Sequence, residues 1–467
     1  MLKHLVQKEI LDNISSPKFV FTFLLCTILI LISVYTGINN YTSELKEYNS
    51  AVALNRENLE SQPSWTALAG IGTKITKPPE VLSTLVTGIQ DAVGRNATVN
   101  TAYDPKLVDS KYDSNPVFAI FGPLDLLLII KIVLSLFAIL FTFDAIVGEK
   151  ERGTLKLTLA NSVPRDQLIL GKAIGSFISL LVPLVIPFLM GLIMLNIFPD
   201  ISLSGDDWLR IGLIFLFFLL YLSVFFTLGL FVSSRTSRAS SSLFVLLFIW
   251  VVFIFVVPRV SVMASNYFAS VPSIHEVNAE KDAFLQQIQG SVTDKVMEWT
   301  QQNPPSPQGD PQEYQQRFRD FLEELQQDLT AQIDKKNAEV EEAYQAKRRT
   351  QQTLALNLSR ISPASLVTFG ALSLAKTGIQ EHERFLNSIK TYKPIFTQWV
   401  NAKMMQSISF TGQQPKPVLD DMPQHEFVPM SLGSSFSLAL PDLVVMVLMI
   451  IVLFAGAFVS FLRYDIR

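Results

Sequence analysis

Phe19-Val20-Phe21-Thr22-Phe23-Leu24-Leu25-Cys26-Thr27-Ile28-Leu29-Ile30-Leu31-Ile32-Ser33-Val34-Tyr35-Thr36-Gly37-Ile38 contains no Asp, Glu, Lys or Arg. A helix rises about 1.5 Å per residue, so about 20 apolar residues cross the ~30 Å hydrocarbon core of a bilayer. The stretch therefore reads as a membrane-spanning helix. It is too long for the apolar region of a signal peptide, and no small-residue cleavage pattern follows it.

Five further runs meet the same criterion: Phe118–Val147, Ile174–Phe198, Leu209–Val232, Leu243–Val257 and Pro441–Leu462. With Phe19–Ile38 they make six spans. The composition agrees, at 49% hydrophobic and only 17% charged, where soluble domains carry about 25% charge. A net charge of −3 gives no reason to expect nucleic-acid binding. Cys26 is the single cysteine, so no intrachain disulfide can form.

Short flanking loops set the orientation, because Lys and Arg are retained on the cytoplasmic side. Lys3, Lys8 and Lys18 precede the first span. Lys150, Arg152, Lys156, Arg165 and Lys172 fall between the second and third. Arg235 and Arg238 join the fourth to the fifth, and Arg463 and Arg467 follow the sixth. The loop Pro199–Asp207 between the third and fourth carries none. Every basic loop then lies on one side, with both termini cytoplasmic and the chain multi-pass.

The expected organisation follows. Residues 1–18 form an amphipathic interfacial helix, with Leu2, Leu5, Val6 and Ile10 on one face. Residues 148–172 form a cytoplasmic loop, and 463–467 a cytoplasmic tail. Residues 39–116 and 258–440 lie outside the cytoplasm. In the second of these, Phe284, Ile288, Val292, Val296 and Trp299 recur at helical spacing. So do Phe318, Leu322, Leu325, Leu329, Ile333 and Val340. The proline-rich Pro304–Pro311 between them predicts an antiparallel helical hairpin. The fold class is thus a mainly α membrane protein: six transmembrane helices plus a mostly helical extracytoplasmic domain with some mixed α/β.

Asp144–Lys172 is densely charged and punctuated. Asp144, Gly148 and Glu151 share a helical face, Gly153 offers a break, and Pro164 with Asp166 suits the first turn of a new helix. From the residues alone, a solvated connector and a docking element remain equal readings. Asp125 and Lys131 sit in or near the second span. One reading has Lys131 snorkelling to the boundary, the other has the two residues lining a pathway or an inter-subunit seam. Pro183 and Pro187 interrupt the third span and predict a kink that serves as a hinge or fits a neighbour.

Gly148-Glu149-Lys150-Glu151-Arg152-Gly153-Thr154-Leu155, followed by Val163-Pro164-Arg165 and Gly171-Lys172, resembles the signature of type-2 ABC transporter permeases. Ser362-Pro363-Ala364-Ser365, Leu374-Ala375-Lys376-Thr377-Gly378 and His382–Phe385 resemble a subgroup with a long insertion before the last span. The motif-level likeness is confined to these stretches, while the layout of the whole chain also fits. The resemblance implies a coupling helix that inserts into a separate ABC ATP-binding subunit. Glu149, Glu151, Gly153, Thr154 and Leu155 would carry that contact, with Pro164 and Arg165 supporting its exit. It also implies a second permease, as homodimer or heterodimer, and ATP with Mg on the partner subunit.

This chain has no catalytic residues of its own on this reading. It contains no G-x-x-x-x-G-K-[ST] loop, since Gly171-Lys172 is followed by Ala173. Its four histidines are scattered, so no metal site and no bound cofactor are expected. Three functions follow in order: the permease of an ATP-driven exporter, a mechanical transmission acting on an extracytoplasmic partner protein, and a sensor or scaffold without an ATPase. The substrate is not legible.

Overall fold

The computed structural model describes residues 2–101, 105, 107–108, 124–160, 164–304, 311–407 and 416–463. The expected start of the second span at Phe118, the turn residues Pro305–Asp310, the Ser162-Val163 part of the loop motif and the tail beyond Arg463 lie outside the described residues. The chain divides into two compact units, Met1–Phe255 with Ser362–Arg467, and Val256–Ile361.

The elements of the first unit begin with α1 (Leu2–Ile14), α2 (Pro17–Glu60) and α3 (Trp65–Ile71). A small sheet follows, β1 (Thr73–Thr76), β2 (Asn96–Val99) and β3 (Leu107–Val108), antiparallel in the order β1-β2-β3. Thr73 pairs with Val99 and Asn96 with Val108. Next come α4 (Leu126–Glu151), α5 (Thr154–Ala160), α6 (Arg165–Ile197), α7 (Gly205–Arg235) and α8 (Ala239–Phe268), which runs on into the second unit. That unit contains α9 (Ile274–Gln302) and α10 (Pro311–Ser359). The chain then returns through α11 (Pro363–Ala375), α12 (Ile379–Ser407) and α13 (Leu432–Leu462).

Among the described residues, six helices are long and apolar enough to cross a membrane: α2, α4, α6, α7, α8 and α13. Their packing gives one large apolar core that includes Ile30, Ile139, Leu184, Phe217, Phe225 and Met446. Helices α6 and α7 run antiparallel, as the ring contacts Phe177–Phe226 and Phe188–Phe215 require. One end of the bundle therefore carries α1 and the start of α6. The other, distal end carries the start of α7.

Helix α2 does not stop with its apolar run. Its 44 residues reach about 66 Å, roughly twice the hydrocarbon thickness. Leu59 near its far end joins a second core with Trp65, Leu68, Ile75, Val99, Phe385, Ile389 and Phe396. That core builds a distal lobe from the end of α2, the sheet and α12. The Arg95–Glu44 ion pair, at 2.6 Å, ties the sheet to α2.

Within residues 258–440, α11 packs between α7 and α13, and most of its residues are buried. Ser362, its N-cap, donates a hydrogen bond to the Phe253 carbonyl in the middle of α8. Pro363 shares an apolar cavity of about 540 Å³ with Val224, Ile249, Val445 and Met449, all in the middle stretches of their helices. At its other end the Leu374 carbonyl accepts from Arg210 near the start of α7. So α11 is a half-helix that starts near mid-bundle and ends at the distal end. Its 13 residues are too few to span, which is why a length criterion passes over it.

The second unit is held differently. Helices α9 and α10 are antiparallel, joined by Lys336–Glu280 at 2.8 Å, Lys295–Asp328 at 3.3 Å and Lys281–Glu341 at 3.4 Å. Trp299 stacks on Phe321 with ring centroids 5.2 Å apart. Ser273 and Glu276 form a capping box that starts α9.

Candidate functional site: the α4–α6 connection

The end of α4 and the start of α6 carry the residues singled out from sequence. Gly153 has φ +74°, where a side chain is strained, and nothing lies within 4 Å of where its Cβ would be. Glycine here serves the turn that separates α4 from α5. Pro164 caps α6 in an extended conformation, and Asp166 occupies the first turn, where the helix dipole favours a negative charge.

Neither end of this connection is a free loop. Ser233, at the end of α7, accepts hydrogen bonds from the amides of Ile146 and Val147, both at 3.1 Å. Lys150 donates to the Ser234 carbonyl. A carboxylate oxygen of Glu151 accepts from the Ala239 amide at 3.1 Å and so caps the start of α8. Arg165 donates to the Leu462 carbonyl at 2.7 Å, joining the start of α6 to the end of α13. Lys18 pairs with Asp144 at 2.8 Å. The connection thus touches the starts or ends of α2, α6, α7, α8 and α13.

Buried beneath it is a charged cluster. Lys172 lies 2.8 Å from Glu149 and 3.5 Å from Glu9 of α1. Ser176 donates to the second oxygen of Glu9 at 3.0 Å, and Asn13 donates to Ser176 at 3.1 Å. Helix α1 comes this close because α6 presents glycines to it. A Cβ at Gly171 would stand 2.8 Å from Leu5 Cβ, and one at Gly175 2.6 Å from Glu9 Cβ.

The sequence-selected residues therefore divide. Glu149 points inward to Lys172, and its second carboxylate oxygen is buried without a hydrogen-bond partner. Leu155 is 1% exposed and belongs to the apolar core. Glu151, Arg152, Thr154 and Lys156 are exposed. Beside them Leu157, which sequence reasoning did not select, is 69% exposed. The signal that would have found it is an apolar residue two positions past a buried one on a short helix. Glu9 left no such local trace, and the motif containing Lys172 did not reveal its partners, since these roles exist only through contacts far apart in the chain.

Asp125 stands at the N-cap of α4 rather than within it. It accepts from the Leu128 amide at 2.8 Å and the Thr87 amide at 3.2 Å, which accounts for its charge as a capping group. Lys131 falls in a π-turn, Ile130–Leu134, where its carbonyl accepts from the Tyr221 hydroxyl at 2.7 Å. The two make no ion pair, but they lie near enough for their opposite charges to attract. Helix α6 continues through Pro183 and Pro187, both buried, without leaving helical conformation. Among the described residues no cluster of His, Cys, Asp or Glu could hold a metal ion.

A family model described as ABC-2 family transporter protein matches residues 4–466. The protein named "Probable ABC transporter permease protein NosY" from Pseudomonas aeruginosa is 35% identical over 126 residues. That stretch is 26% of this chain and 44% of NosY, so less than half of the relative is covered. The family match runs from within α1 to beyond the end of α13. The chain belongs to the ABC-2 family of transporter proteins and is a multi-pass membrane protein.

Proposed function

We propose that this chain is the membrane-spanning permease subunit of an ATP-driven exporter, working as a pair with a second permease on two ATPase subunits. ATP and Mg sit on the partner subunits, and this chain hydrolyses nothing by itself. Both termini and the α4–α6 connection face the cytoplasm, in the inner membrane of a bacterium. The observation that carries the reading is the α4–α6 connection itself. It offers a partner an exposed row, Glu151, Arg152, Thr154, Lys156 and Leu157, while its other side is bonded to α6, α7, α8 and α13. A push on that row reaches four spans at once, with Pro164 and Arg165 passing it into α6. Asp125 with Lys131, and Pro183 with Pro187, are assigned secondary roles as seam and hinge.

A second reading, mechanical transmission to an extracytoplasmic partner with no cargo crossing, draws support from α2. One unbroken helix links the α1 end to the core of the distal lobe. The test is reconstitution of the complex in vesicles. Glu151→Arg and Gly153→Pro are each expected to abolish ATP-dependent activity while the complex stays folded. Unchanged activity in both removes the coupling role. ATP-dependent accumulation of a substrate excludes pure mechanical transmission.

A further inference from the structure

We infer that Lys172 and Glu9 are positioning residues, and that α1 is a moving part of the transmission rather than a passive membrane anchor. The inference rests on the permease reading and extends it to a segment that touches neither the exposed row nor the distal lobe.

The geometry argues against a purely structural joint. Lys172 is only 8% exposed, yet it shares one ammonium between two carboxylates of different helices. One cation for two anions leaves an uncompensated negative charge in a partly dry interface. Burying charges costs several kcal/mol each, and apolar side chains of like volume hold helices together as well or better. The rest of the α1–α6 contact is in fact of that simpler kind, with Leu5 seated on Gly171. The three-charge cluster therefore adds something that packing does not supply.

What it adds is a choice of partner. Lys172 is held closely by Glu149, at 2.8 Å, and loosely by Glu9, at 3.5 Å. Glu9 is not free to follow it, because Ser176 fixes its other oxygen and Asn13 fixes Ser176. Glu149 by contrast sits on the short helical turn beside Gly153 and keeps one oxygen without a hydrogen-bond partner. When a docked partner displaces that turn, Lys172 exchanges its close contact from Glu149 to Glu9. A Lys ammonium suits this, being a compact charge on a flexible stem rather than a fixed fork. The exchange pulls on α1, which lies along α6 over the two glycines. Displacement of the α4–α6 connection is thereby delivered to the membrane interface as well as to the spans.

The experiment uses the complex with its co-purifying ATP-binding subunit, in lipid nanodiscs. Cys26→Ser removes the chain's one cysteine, and spin labels at Leu11→Cys and Ile197→Cys report the distance from α1 to the far end of α6. Adding a non-hydrolysable ATP analogue is expected to shift that distance. Glu9→Gln and Lys172→Met should each cut the shift at least two-fold, and Lys172→Arg, which keeps the charge on a fixed fork, should restore only part of it. Basal ATP hydrolysis in Glu9→Gln should stay within two-fold of the parent. Ser176→Ala, a smaller change that only unfixes Glu9, should give an intermediate shift if either charge variant fails to fold. An unaltered shift in Glu9→Gln and Ser176→Ala, or no shift in the parent, overturns the inference. Absence of any co-purifying ATP-binding subunit would instead remove the permease reading beneath it.

Discussion

Arg210 and Lys172 are both buried cations, and they sit at opposite ends of the same bundle. Arg210 is fully buried at the distal end. Its guanidinium donates to the Leu374 carbonyl at 2.9 Å, the Met430 carbonyl at 2.7 Å, the Ser435 hydroxyl at 2.9 Å and the Asp206 carboxylate at 2.7 Å. Three helices and the approach to α13 meet on one planar fork. Lys172 also joins three elements, but through a single ammonium between two carboxylates. Two of the four acceptors of Arg210 are backbone carbonyls, which cannot rotate away, whereas both carboxylates around Lys172 ride on side chains. The distal end is clamped, and the α1 end is adjustable.

Breaking the clamp is expected to produce the largest effect. Arg210→Lys keeps the charge but cannot reach four acceptors, so buried oxygens lose their partners. A loss of about 3 kcal/mol is expected, read as a lower unfolding temperature of the purified protein. A small shift would mean that the distal end is not clamped by this residue.

A smaller effect concerns pH at the same end. Both carboxylate oxygens of Glu381 accept from the Met430 amide, whose own carbonyl is held by Arg210. Burial, reinforced by the nearby Glu80 carboxylate, raises the Glu381 carboxyl above its usual range. The folded state therefore binds this proton more tightly than the unfolded one. The contribution is fully present below the ordinary carboxyl range and is lost as pH rises through the raised value. Melting measured from acid to neutral pH should show this slope, and Glu381→Gln should remove it.

The smallest effect is expected from Lys336→Met in the second unit. Its 2.8 Å contact with Glu280 matches the Lys172–Glu149 distance, but both partners are open to water. Solvent screens such a pair, and no measurable change in melting is expected. A clear loss there would show that distance rather than burial governs these contacts.

The six spans and the mainly α character are legible because hydropathy is a property of contiguous residues, and the runs declare themselves without reference to the fold. Glu149 and Leu155 show where that kind of reading ends. Both stand in the motif resembling permeases, and both look surface-exposed in a loop of charges. Only the approach of α6 and α1 turns Glu149 inward, and only the core buries Leu155. The half-helix α11 escaped for a different reason. Its composition is as apolar as that of a span, but its 13 residues fall below the length at which apolarity alone identifies one.

That half-helix constrains how the protein can be assembled. A segment so short has no claim to insertion on its own, since it cannot bridge the bilayer or satisfy its N-terminal amides in lipid. It packs chiefly against α7 and α13, and α13 comes after it in the chain. The groove that receives α11 therefore does not exist when α11 emerges from synthesis. The last span therefore completes a cavity as well as a count.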